Sequence, residues 1–417
     1  MRSFIIALLC LPYLAIAQDS ANVTLVSSIH LPLYVNGVSV QGSYAYVAQG
    51  ANGLRVIDIS DLGAPRLRGL YNTPASANTI RVRDNFAFLG DGTTLRVYDI
   101  TDPEHVLEVA SLATDHPFGN MTLVGDYLYA ALYTDGIAIF DISDPLAPTE
   151  IGFSSSGYEW EYALDVAVAG NYAYVADWEG GILRIVDVSD PTTPVTVDTM
   201  RFVGGTTGVA VAGDYAYVET WLDGLHVLDI SDPTNAVEVA SLEWLIEEGV
   251  VFRGIELFGD HAVVDVGTTL QVLNISDPLQ PAEVGYYRCE GGISDVSIRD
   301  GLVYCAASPY FIIFDVTTAL PVHDIDPSFI SAFALHPIYP NPFNNTANIS
   351  FDLPREVTGR LVVYDVTGRA VRELYQGRLA AGAHQMPFMG NGLASGTYLV
   401  RLETPTHSAT QKALLLK

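Results

Sequence analysis

The chain reads as an all-β protein: a seven-bladed β-propeller followed by a small, immunoglobulin-like β-sandwich. Two phased repeats and a change of texture after residue 317 carry this reading. The first repeat is Leu54-Arg-Val-Ile-Asp-Ile-Ser-Asp61, echoed at Leu95–Pro103, Ile137–Pro145, Leu183–Pro191, Leu225–Pro233, Leu270–Pro278 and, degraded, Phe311–Thr317. Its acidic or amide position falls at Asp58, Asp99, Asp141, Asp187, Asp229, Asn274 and Asp315, at intervals of 41, 42, 46, 42, 45 and 41 residues. A period of roughly 40–45 residues made of short strands is that of propeller blades.

The second repeat runs in phase with the first. Apolar residues alternate on both sides of a Gly-Asp or Gly-Asn pair, as in Val166-Ala-Val-Ala-Gly-Asn-Tyr-Ala-Tyr-Val175 and Val209-Ala-Val-Ala-Gly-Asp-Tyr-Ala-Tyr-Val218. That pattern predicts a hairpin of an inner strand and a second strand. The Leu-x-Val-x-Asp run is the third strand. Ser-Asp-Pro then makes a turn, because Asp caps it and Pro has no amide hydrogen for a ladder. An outer strand follows, as at Pro148–Gly152. No blade buries both its faces alone, so neighbours must stack.

The seventh blade lacks a clear outer strand, while residues 23–29 occupy an outer-strand slot with no third strand before them. The expectation is that residues 23–29 complete the seventh blade and close the ring, removing two open edges. The propeller then spans residues 18–317, with a linker at 318–335.

The first 17 residues read as a secretory signal: Arg2, an apolar run Phe4–Leu14 and small residues at Ala15 and Ala17. No run is long and apolar enough for a membrane span. The chain carries 20 basic and 48 acidic residues, a net charge of −28. Residues 18–335 hold 11 Arg, no Lys and 43 acids, a net of −32. Such a surface repels phosphate backbones and excludes nucleic acid as a partner. No Asp-x-Asp-x-Asp-Gly loop occurs, so a Ca²⁺ site would have to be assembled across blades, and no cofactor is expected. In an oxidising compartment Cys289 and Cys305, both near one rim of the seventh blade, form the candidate disulfide.

From His336 the texture changes to a proline-rich start and six short alternating strands, which predict the β-sandwich over 336–417. Tyr339-Pro-Asn-Pro-Phe-Asn344, Val363-Tyr-Asp-Val-Thr-Gly-Arg369, Ala381-Gly-Ala-His384, Leu393-Ala-Ser-Gly-Thr-Tyr-Leu-Val-Arg401 and Gln411-Lys412 to Lys417 cover it in order. This tail resembles the type A C-terminal sorting domain of the type IX secretion system. The resemblance implies partnership with that machinery, export through the periplasm, and a mature protein at the outer cell surface or outside the cell. It places the sorting signal at Pro340, Asn341, Pro342, Gly368, Gly382, Gly396, Tyr398 and Lys412. The ring resembles the LVIVD-repeat propellers, on Leu54-Arg-Val-Ile-Asp58 and Leu183-Arg-Ile-Val-Asp187. That resemblance implies a fold and no single reaction.

Function is expected where the loops break the repeat. All four tryptophans do so, Trp160 and Trp244 before inner strands, Trp178 and Trp221 after second strands. Tyr133 and Tyr158 join them, with Asp135, Asp177, Glu179 and Asp223 among the nearby acids. Exposed rings beside carboxylates suit a sugar, whose apolar face stacks while its hydroxyls donate. The candidate ligand-binding set is Tyr133, Asp135, Trp160, Asp177, Trp178, Glu179, Trp221 and Asp223; the bland alternative is that these rings only pack between loops. The recurrent Asp58 and its counterparts are structural. No Gly-x-Ser-x-Gly elbow or histidine ligand spacing occurs. The reading is a non-enzymatic binding module for a glycan or protein, the alternative a secreted carbohydrate-active enzyme using face carboxylates.

Overall fold

In the computed structural model, residues 20–155, 162–243, 254–319, 334–335, 338, 343–344, 346–353, 357–379, 382–405 and 408–416 are described. The expected leader, residues 1–17, lies outside them. All described regular structure is strand. The third repeat shows the unit: Phe118–Val124, Tyr127–Leu132, Gly136–Asp141 and Thr149–Ser154 lie side by side in that order, each pair antiparallel. Among the described residues seven such propeller-like sheets succeed one another. Their inner strands are Gly37–Gln41, Ala77–Arg83, Phe118–Val124, Ala163–Ala169, Thr206–Ala212, Ile255–Phe258 and Ile293–Arg299, and the sheets are numbered in that order below.

Local chemistry makes each unit. The hairpin between inner and second strands turns on Gly125, Gly170 or Gly213, each at φ 56°, the positive value that a two-residue turn of the primed type needs at its first central residue. In the second and seventh sheets Asp84 and Asp300 take that place at φ 53° and 55°; Asp is among the few other residues that tolerate it. At the end of the third strand the recurrent carboxylate or amide accepts the amide two residues on. Asp58, Asp99, Asp141, Asp187, Asp229, Asn274 and Asp315 all do this, at 2.8–3.0 Å. In the second to sixth sheets a proline four residues after it, from Pro103 to Pro278, ends the ladder.

Second strands such as Tyr172–Asp177 are buried almost throughout, whereas outer strands such as Val195–Arg201 are largely exposed. Burial is achieved between sheets. One apolar cluster joins Tyr46 and Val56 of the first sheet to Ile80 and Leu89 of the second. Equivalent clusters join each successive pair, and one joins Tyr304, Phe311 and Ile313 of the seventh sheet to Val38, Val47 and Ile57 of the first.

The N-terminal strand pairs as its slot requires. Thr24–His30 lies antiparallel to Tyr310–Asp315, with Leu25 opposite Phe314 and Ile29 opposite Phe311. A second join was not legible in the sequence. Ser20–Ala21 adds a fifth strand to the sixth sheet, opposite Tyr286 and Tyr287. The chain crosses from sixth to seventh sheet at Asn22, whose side-chain amide donates to the Val284 carbonyl at 2.8 Å.

The tail folds on its own core. Ala334–Leu335, Thr346–Leu353 and Gly382–Met389 form one sheet. Ala370–Leu379, Val357–Asp365, Gly396–Glu403 and Ser408–Leu415 form a second. Ile349, Phe351 and Phe388 of the first meet Leu361, Val400 and Leu402 of the second in one buried cluster, the arrangement of a sandwich.

Removing residues 20–30 leaves the edges of Tyr310–Asp315 and Ala282–Arg288 unpaired. The expected outcome is a lower melting temperature and concentration-dependent self-association, read by light scattering. A truncated protein that stays monomeric at full stability would contradict the closing role of this segment.

Candidate functional site: the loop face and the central cavity

Loops leading into inner strands and loops leaving second strands share one face. There Trp178 and Trp221, from the fourth and fifth sheets, approach with ring centroids 5.1 Å apart at an interplanar angle of 39°. Trp178 rests on Gly205, where a Cβ would meet its ring at 2.7 Å. Only glycine leaves room for the indole. Both indoles remain partly exposed, as does Tyr133, whose ring centroid lies 5.2 Å from that of Tyr162. Asp135 accepts from His116 Nε2 at 2.9 Å. Glu179 is exposed and Asp223 partly so.

Asp177 departs from the expected set. It ends the second strand of the fourth sheet with 1% exposure, and its carboxylate accepts the Tyr162 amide at 3.1 Å. Strand alternation turns it away from its neighbour Trp178, so it shapes the loop from beneath. Trp160, Tyr158 and Trp244 lie outside the described residues.

Behind this face runs a cavity of about 340 Å³ lined by inner-strand residues of all seven sheets. A narrower recess at its mouth is lined by Asn36, Asn78, Thr207, Ser294 and Tyr133. Inside, Arg81 Nη1 donates to Asp295 at 3.1 Å and Nη2 donates to Asn120 Oδ1 at 2.7 Å. Asn120 Nδ2 donates to Asp165 at 2.9 Å. These carboxylates also accept amides of neighbouring sheets: Val38 to Asp295 at 2.9 Å, Val209 to Asp165 at 3.0 Å, and Ile298 to Glu256 at 3.1 Å. Burial pushes Asp165 up to about 6 and Glu256 up to about 8, in both cases against the pull of Arg81. Glu219 is fully buried and its pKa is raised well above normal by desolvation, Asp265 and Asp165. Sequence reasoning passed over this set, although its signal was present: charged residues where other repeats carry glycine, alanine, serine, threonine or asparagine. Among the described residues no cluster of three or more His, Cys, Asp or Glu could hold a metal ion.

Cys289 and Cys305 share one buried cluster and are both free thiols in the structure, so the expected disulfide is not formed there. Burial pushes the Cys289 thiol up to about 12. Of the expected sorting residues, Pro340, Asn341 and Pro342 lie outside the described residues. Gly368 sits at φ 83° in a turn where Asp365 accepts the Thr367 amide at 3.0 Å. Gly382 begins one strand and Gly396 another. Tyr398 is buried and its hydroxyl donates to the Ala394 carbonyl at 2.8 Å. Lys412 lies in the last strand, opposite Leu399.

A family model described as the LVIVD repeat matches residues 34–73, 74–114, 119–154, 161–200, 203–243 and 253–289, more than half of the sequence. The chain belongs to the LVIVD repeat family. The six matches stop short of the seventh sheet, whose outer strand comes from the other end of the propeller sequence and whose repeat motif is degraded. The model of the secretion system C-terminal sorting domain matches residues 337–416. It implies handling by the type IX secretion machinery and delivery to the cell surface or the extracellular space. No curated protein matches the chain. Among solved structures, the beta-propeller domain of Cps50 (Swd1) from Myceliophteria thermophila is similar at 11% identity and a TM-score of 0.55, over 70% of this chain and 99% of that one. The computationally designed Ika8 protein is similar at 11% identity and a TM-score of 0.51, with the same coverage. At that identity the likeness concerns the fold, here a propeller. No helix among the described residues is long and apolar enough to cross a membrane.

The LVIVD repeats set two opposed pH dependences. Asp165 and Glu256 are weaker acids folded than unfolded, where carboxylates titrate at roughly 4. The stability gained by keeping them neutral is complete below that value and is lost as pH rises through about 6 and about 8. The turn aspartates act the other way. Hydrogen bonds from Ser60, with Arg68 beside it, hold Asp58 down to about 2, so its contribution is full above roughly pH 4 and lost as pH falls through about 2. The melting temperature is expected to peak at roughly pH 4–5 and decline towards pH 9, with Glu256→Gln flattening the alkaline limb. Calorimetry across that range checks it; an alkaline limb that Glu256→Gln leaves unchanged would exclude Glu256 as its source.

Proposed function

We propose that the chain is a non-catalytic recognition module: a closed ring of seven blades, exported with a leader over residues 1–17 and an immunoglobulin-like sorting tail. The ligand site is the loop face over the third to fifth sheets. The observation that carries this reading is the placement there of two aromatic pairs, Trp178 with Trp221 and Tyr133 with Tyr162, all partly exposed. They lie in loops that break the repeat, and variable loops on a rigid scaffold are where binding is added. Asp135, Glu179 and Asp223 supply acceptors beside the rings. Flat apolar surfaces flanked by carboxylates fit the apolar face and hydroxyls of a sugar.

Incubation with a glycan panel should give retention without cleavage; release of reducing ends would favour an enzyme instead. Loss of one stacking ring costs roughly 0.5–1.5 kcal/mol beyond its area. Trp178→Ala should therefore weaken glycan retention several-fold while the melting temperature holds. A drop of several degrees, with fluorescence indifferent to every glycan, would reassign the rings to loop packing.

The tail's core includes no residue of the seven sheets, so the propeller should fold without it. Deleting residues 336–417 should leave a folded propeller retained in the periplasm, as read by fractionation and far-ultraviolet circular dichroism. Normal surface levels of the truncated protein would remove the sorting role.

A further inference from the structure

The turn between the second and third strands of the fifth sheet sets three chemically different side chains in a row, Trp221, Leu222 and Asp223. Leu222 is 50% exposed, and its Cβ lies 2.9 Å from where a Gly204 Cβ would stand. Gly204 is at φ 85°, a value that favours glycine, so the backbone itself allows this approach. Its neighbour Val203 is 66% exposed. Gly205 lies under the Trp178 ring, and the Trp221 amide donates to the Gly205 carbonyl at 2.9 Å. Two indoles and two aliphatic side chains thus share one strip of backbone, Val203–Gly205. The carboxylates of Glu179 and Asp223 follow within two residues of the rings.

Aliphatic groups beside the rings restrict what can lie there. An indole alone accepts the apolar face of any pyranose. A sugar with only hydroxyls on its ring edge would press one of them against Leu222 or Val203, where it loses water and gains no acceptor. An amide-linked acetyl group reverses this balance. Its methyl is buried against the aliphatic side chains. Its N–H donates to a neighbouring carboxylate, and a hydrogen bond to an ionised acceptor is stronger than a neutral one.

We infer that the strip beside Trp178 and Trp221 selects 2-acetamido sugars, with Leu222 and Val203 receiving the acetyl methyl and Asp223 accepting the amide hydrogen. This rests on the loop-face reading and narrows it from glycans at large to one class. The rings hold the sugar; the aliphatic pair and the acid decide which sugar is held.

The test is titration calorimetry of the full chain with N-acetylated chitotetraose, cellotetraose and deacetylated chitotetraose. These share a β-1,4 linkage and differ in carrying an acetamide, a hydroxyl or an ammonium at the same ring carbon. The acetylated oligomer should bind roughly tenfold more tightly than cellotetraose, from one buried methyl and one hydrogen bond to a carboxylate. Leu222→Ser should bring it down to the affinity of cellotetraose, with the melting temperature as the check on folding. Asp223→Ala is the second variant and should weaken the acetylated oligomer several-fold. Equal affinity of the wild-type chain for the acetylated oligomer and cellotetraose would overturn the inference and leave the loop-face reading standing. A folded Leu222→Ser variant that keeps the preference would overturn it too, as would binding of none of the three. Tighter binding of the deacetylated oligomer would overturn it in favour of attraction between ammonium groups and the acidic propeller. An affinity for the acetylated oligomer that Trp178→Ala leaves unchanged would put the sugar elsewhere and overturn the loop-face reading as well.

Discussion

The seventh sheet is built from both ends of the propeller sequence, and the rest of the molecule depends on that join. Each sheet leaves apolar side chains on two faces, and only its neighbours can cover them. Clusters between successive sheets do this, but a linear stack would still expose one face at each end. Pairing of Thr24–His30 with Tyr310–Asp315 completes the last sheet, and the cluster linking Phe311 to Val47 covers the first. Val23 and Leu31, at the ends of the same strand, are buried in the two clusters on either side of it. A short segment thus secures two interfaces.

Apolar stacking alone would let neighbouring sheets slide. The cavity supplies the register. Successive inner strands are not joined by a continuous backbone ladder, so several of their amides are met by side chains from an adjacent sheet. Asp295 takes the Val38 amide, Ser39 takes that of Val82, Asp165 takes that of Val209 and Glu256 takes that of Ile298. A buried polar group left unpaired is expensive, and one satisfied in a single geometry specifies that geometry. The acids that make the lumen electronegative are in part the ones that align the sheets. This dual duty explains how weak acids persist in an interior where apolar residues would pack at lower cost.

Much of this was legible in the sequence because it repeats. The turn aspartates, the hairpin glycines and the phase of four strands recur often enough for each copy to support the others, and the vacant outer-strand slot showed where residues 23–29 belong. Features that occur once were harder to see. Ser20–Ala21 is too short to show alternation. Asp177 sits next to Trp178 in sequence, yet the pleat directs the two to opposite sides. The buried acids were hidden because the charge changes strands: Asp165 opposite Ala176 and Glu219 opposite Gly208 look unrelated until the strands are laid in register. Trp160 and the Pro340–Pro342 stretch fall outside the described residues.

The join in the seventh sheet also sets a timetable. Thr24 pairs with Asp315, so a strand made near the start of the propeller waits for the last one before it finds its place. Contacts of such long separation form late, after their loop-closure entropy has been met by everything between them. Until then the sixth and seventh sheets present bare edges while the intervening hairpins, with only local contacts, are already formed. The seam is therefore where folding is expected to be slowest and most exposed to aggregation. A cell that exports this chain gains from holding residues 20–30 apart from other strands until the seventh repeat has emerged.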